Sequence, residues 1–95
     1  SFFFFLGEDA VEVQVWFDEY QARWIREQEW PEHYNIDELE QGELTLTFKT
    51  AGLEGVKMWV MKYGSHAEVL APPELRAEVV DELRGALGRY EEGRR

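Results

Sequence analysis

Val11-Glu12-Val13-Gln14-Val15-Trp16-Phe17 is the stretch that decides the fold. Apolar and polar residues alternate along it, the mark of a strand with one face buried. Val11, Val13, Val15 and Phe17 therefore point to a core, and Glu12, Gln14 and Trp16 to the opposite side. Downstream, Asp18 is suited to cap a helix over residues 18–28, with Ala22 and Ile25 on one face and Tyr20 and Trp24 close by. Trp30-Pro31 ends that helix, because proline cannot continue it and restricts the residue before it. Residues 32–40 read as a weaker strand, Gln41-Gly42 as a hairpin turn, and Leu44-Thr45-Leu46-Thr47-Phe48 as a second clear alternation.

Residues 52–63 return to helical spacing, with Leu53, Val56, Val60 and Tyr63 on one face, Trp59 beside them and Gly64 as the stop. Ala67-Glu68-Val69-Leu70-Ala71 is a short strand, and Pro72-Pro73 opens a last helix. That helix carries Leu75, Val79, Leu83, Ala86, Leu87 and Tyr90 on one stripe, the strongest periodic signal in the chain. The order β-α-β-β-α-β, then a third helix, predicts an α+β, ferredoxin-like domain. Its sheet is antiparallel and four-stranded, two helices cover one face, and the first and third strands are central. The domain is expected over residues 10–93. Residues 1–9, with Phe2-Phe3-Phe4-Phe5-Leu6, read as a linker leaving an upstream domain.

Composition narrows the function. The chain has 95 residues, 44% of them hydrophobic, enough for one two-layer core. Ten basic against twenty acidic residues give a formal charge of -10, which opposes binding to a phosphate backbone. There are no cysteines, so disulfides and thiolate chemistry are excluded and a cytoplasmic setting is expected. The longest apolar run falls far short of the roughly 20 residues that cross a bilayer, so no membrane association is expected.

No constellation supports catalysis. Ser65 and His66 are adjacent but lack a nucleophile-elbow motif, and Gly52-Leu53-Glu54-Gly55 lacks the Lys-Ser/Thr pair of a phosphate loop. His33 with Glu32 and Asp37 is a metal possibility outweighed by a plain surface-strand reading, and His66 reads as a loop residue. Among so many carboxylates, chance pairs are inevitable, and none is placed in an apolar pocket. No enzyme, catalytic residue, metal or cofactor is expected. The acids at positions 37, 38, 40 and 43 read as a solvated hairpin tip. What remains is the polar side of the sheet: Gln14, Trp16, Thr45 and Thr47, joined by His33 and Asn35 if Tyr34 and Ile36 face inward. Such a face offers donors, acceptors and one flat aromatic to a ligand or partner. RNA-binding sheets interleave aromatics with basic residues, and this one does not. Trp59 and Tyr63 form a second candidate contact, on a helix.

Six segments, in order, resemble the C-terminal extension (WCX) domain of bacterial WYL-domain-containing helix-turn-helix transcriptional regulators. Residues 13–17 stand at that domain's first strand, and Ala22-Arg23-Trp24-Ile25-Arg26-Glu27 at its first helix. Glu29-Trp30 stands at the helix exit, and residues 42–48 at its glycine-led strand of alternating leucines. Trp59-Val60-Met61-Lys62-Tyr63-Gly64 and residues 68–76, with Pro72-Pro73, complete the series. The resemblance covers roughly residues 10–90. Residues 31–37 depart from it, with Glu32 and Asn35 where the family often shows His and Gln. The resemblance implies a homodimeric, cytoplasmic regulator whose upstream WYL and helix-turn-helix domains sense a signal and read DNA. This domain would then serve dimerisation or effector sensing and would touch no DNA. An amino-acid-binding ACT-like regulatory module, which shares the topology, is the alternative.

Overall fold

A computed structural model describes residues 10–30 and 33–93. The expected linker, residues 1–9, lies outside the described residues. Strand β1 (Val11–Phe17) leads into helix α1 (Glu19–Glu27), followed by β2 (Tyr34–Glu38) and β3 (Leu44–Thr50). Helix α2 (Leu53–Met61), β4 (Ala67–Ala71) and α3 (Pro73–Glu91) complete the order. The sheet runs β2-β3-β1-β4 with every neighbour antiparallel, so β1 and β3 are central. This is the ferredoxin-like arrangement the alternation predicts, with its additional C-terminal helix.

The alternation explains the core. Val13, Val15, Phe17, Leu44, Leu46 and Phe48 are buried on one side of the two central strands. Against them pack Ala22 and Ile25 of α1, Val56 and Val60 of α2, Val69 of β4, and Leu75 and Val79 of α3. Each fully buried side chain of this size contributes roughly 1.5–3 kcal/mol through removal from water. Thr50, at the end of β3, is the one polar residue among the described core, and its Oγ1 accepts the Gly52 amide at 2.8 Å.

Local chemistry sets the boundaries. The Asp18 carboxylate accepts the Gln21 amide at 2.9 Å and caps α1. At the other end, the Trp30 indole donates to the Ile25 carbonyl at 2.9 Å, satisfying a group the helix leaves open. The turn between β2 and β3 places Gln41 at φ 63° and Gly42 at φ 81°, a mirror-image turn whose twist matches the flanking strands. An added Cβ at Gly42 would lie 2.9 Å from Glu19 Cγ, so glycine is required on both counts. Arg26 of α1 grips this hairpin, donating to Glu38 and, at 2.8 Å, to the Gly42 carbonyl.

Two placements differ from simple expectation. Tyr34 shares the inner face with Phe48, its register partner, yet is 42% exposed, because β2 is an outer strand that the helices do not fully cover. The α3 stripe is buried only at Leu75 and Val79, while Leu83, Leu87 and Tyr90 stay exposed. A 19-residue helix is roughly 28 Å long, and the longest dimension of the molecule is 46 Å. Past Val79 the stripe is thus left at the surface, although Glu82 still reaches Lys57 of α2 at 3.4 Å.

Candidate partner-binding face

The outer side of the sheet is built from three cross-strand rows. Glu12 pairs with Lys49 in the first. Gln14, Thr47 and Asn35 form the second, and Glu68, Trp16, Thr45 and Asp37 the third. Five of the six residues expected at this face thus fall into adjacent rows. His33 precedes β2 with φ 73°, and meets Asn35 and Thr47 at a shallow depression of about 320 Å³. Glu12 and Lys49 also line it, whereas Trp16 and Thr45 lie in the neighbouring row and do not.

Polar partners hold parts of this face. The Gln14 amide donates to Glu12 at 3.3 Å. The Trp16 indole donates to Glu43 Oε1 at 3.1 Å, so its polar handle is satisfied and its ring remains to be offered. Glu43 was expected to be solvated at the hairpin tip. Its half-buried position beside Thr45 gives it this role, which sequence reading missed because the pairing crosses strands. The face offers hydrogen bonding and one aromatic surface.

Trp59 and Tyr63 have an internal role. Trp59 contacts Phe17, Trp30 and Phe48 with ring centroids 6.0 Å apart and Tyr63 at 5.4 Å, all edge-to-face. Phe17 and Tyr63 close the cluster at 5.4 Å. Such geometry adds to burial because ring edges meet ring faces of opposite charge. Burial raises the Tyr63 phenol above its ordinary value, more than the hydrogen bond from Trp59 lowers it. The expected helix contact is thus a pair of half-buried rings serving the domain's own core.

His66 also differs from the loop residue expected. It sits in the one-turn segment Gly64–His66, and its Nδ1 lies 2.6 Å from Asp18 Oδ2, with its ring 4.9 Å from that of Tyr20. The Asp18 amide in turn donates to the His66 carbonyl at 3.1 Å. Burial pushes the Asp18 carboxyl up. Hydrogen bonds from the Gln21 amide and His66, the charge of His66 and the Tyr20 amide outweigh it and hold the group below its ordinary value. On Glu38, the Arg26 hydrogen bond likewise outweighs burial and lowers the carboxyl. Among the described residues, no group of three or more metal-ligating side chains is brought together. No helix among them is long and apolar enough to cross a membrane.

Among the described residues, the fold and this face define a small α+β domain that covers one side of its sheet with its own helices and presents a half-exposed polar side on the other. The model of the WCX domain family matches residues 9–87, and the chain belongs to that family of regulatory domains. None of the curated proteins matches it.

Proposed function

We propose that the domain is a non-catalytic module of a WYL-type bacterial transcription regulator, serving assembly or effector sensing in the cytoplasm, with the open sheet face as its contact surface. The observation that carries this reading is the contrast between the two sides of the sheet. The helix side is buried and packed, while the other presents the Gln14–Thr47–Asn35 row beside the Trp16 ring. Family membership supports a regulatory role, and the acidic balance supports leaving DNA to other domains of the same regulator. A thermal-shift screen of metabolites on the wild type and on Trp16→Ala and Gln14→Ala tests it, because a ligand of the folded state raises its stability. The expected result is a stabilising compound, or binding to an upstream WYL domain, that both substitutions abolish. Binding that ignores both would remove this face from consideration. The depression holding His33, Asn35 and Thr47 supports the ACT-like alternative, in which a small metabolite seats there, and Asn35→Ala would then be the damaging change.

A further inference from the structure

The second half of α3 presents Leu83, Leu87 and Tyr90 at successive turns, exposed by 47%, 55% and 85%. Among the described residues no element covers them, although the stripe to which they belong is buried earlier in the same helix at Leu75 and Val79. At 100° per residue, the stripe has two charged flanks. One carries Glu82 and then Arg89, and the other Arg84 and then Glu91. On each flank an acid and a base stand seven residues apart, and the two flanks read in opposite order.

That pattern is self-complementary about a two-fold axis near Ala86-Leu87. When the segment meets a copy of itself running the other way, Arg84 faces Glu91 of the second copy, and Glu82, which also pairs with Lys57 of its own chain at 3.4 Å, faces its Arg89. The same symmetry sets Leu83 against Tyr90 of the second copy. In a two-fold contact every such pair occurs twice. A shallow depression of about 460 Å³ lies on the Glu82–Arg89 flank of the stripe, lined also by Gly85, Ala86 and Tyr90.

We propose that this segment is a dimer seam, pairing antiparallel with the same segment of a second copy of the chain. The proposal rests on the assembly half of the reading above but uses a different surface, so each can fail alone. Orientation follows from net charge. A parallel pair would set two bodies of charge -10 side by side, whereas an antiparallel pair places them at opposite ends of the seam. A seam of about three helical turns is smaller than the roughly 800 Å² per partner of a standard interface, so the isolated domain forms a weak, concentration-dependent dimer.

Sedimentation equilibrium across a concentration series tests this, with circular dichroism confirming that each variant is folded. Wild type is expected to approach twice the monomer mass, and Leu83→Gln/Leu87→Gln to remain monomeric at every concentration. Arg84→Glu places two acids in apposition across the seam and is expected to weaken association by about tenfold. Adding Glu91→Arg to Arg84→Glu inverts both partners and is expected to restore it. Residues seven apart on one helix do not touch, so this rescue can only arise between copies. Trp16→Ala is expected to leave the dimer intact, which separates this seam from the sheet face. A wild type that stays monomeric throughout would overturn the proposal. So would leucine variants that still dimerise, a charge swap without rescue, or binding of this stripe to an upstream domain in place of a second copy.

Discussion

Replacing Asp18 with alanine removes two contacts at one corner of the domain. The Gln21 amide loses its acceptor at 2.9 Å and His66 loses its partner at 2.6 Å, while the main-chain bond from residue 18 to His66 remains. Loss of a helix N-cap costs about 1 kcal/mol. The His66 side chain is 42% exposed, so solvent screening limits that pair to about 0.5 kcal/mol. The sum, about 1.5 kcal/mol, lowers the midpoint of thermal unfolding by roughly 6–12 °C in a domain of this size. Asp18→Asn keeps the capping oxygen and loses only the charge, so about 0.5 kcal/mol is expected. The pH dependence has a definite sign. The folded carboxyl lies below its ordinary 3.8, so its contribution is complete above that value and is lost as pH falls through the lowered one. The gap between wild type and Asp18→Asn should therefore close in acid. Thermal melts followed by far-ultraviolet circular dichroism, with His66→Ala completing a double-mutant cycle, read all of this. If Asp18→Asn costs as much as Asp18→Ala, or the gap persists at low pH, the assignment of separate capping and charge roles is refuted.

Trp59→Ala removes the hub of the aromatic cluster, and a loss of about 3–5 kcal/mol with collapse of the near-ultraviolet dichroism is expected in chemical denaturation. Gly42→Ala should cost about 1–2 kcal/mol for the left-handed backbone alone, and adding Glu19→Ala should recover only the further cost of the close contact, as measured by urea titration. Tyr63 has a raised folded value, so the stability it contributes is complete below the ordinary 10.0 and is lost as pH rises through the folded one. Tyr63→Phe should flatten the alkaline limb of a stability-against-pH curve.

The sheet was legible in the sequence because its central strands obey a strict alternation. Val13, Val15 and Phe17 on β1 and Leu44, Leu46 and Phe48 on β3 all reach the core, and their odd-man-out neighbours Gln14, Trp16, Thr45 and Thr47 share the other face. On β2 the sequence left the facing conditional, and the structure sets Tyr34 and Ile36 opposite Phe48 and Leu46, a pairing that no local pattern specifies. What escaped were contacts between residues distant along the chain. Nothing local to Glu43 announces that it accepts the Trp16 indole, and nothing near His66 points back to Asp18. Trp59 and Tyr63 looked available for a partner because helical spacing says which side a residue occupies but not what lies opposite. The rings of Phe17, Trp30 and Phe48 complete that surface from three other places in the chain. The α3 stripe failed in the reverse sense, since its periodicity continues past the point where the domain has anything left to bury it against.

The outer strand β2 has a further bearing on how copies of this chain can meet. Along one side its amide and carbonyl groups find no neighbour within the sheet, which in many proteins invites another strand to add on. Here that margin is only five residues long, includes Asp37 and Glu38, and is followed at once by Glu40. Two such margins approaching one another would crowd carboxylates together with few hydrogen bonds gained in return. Growth of the sheet from molecule to molecule through this margin is thereby discouraged, and the exposed leucines of α3 are left as the apolar surface through which copies of so anionic a protein would have to meet.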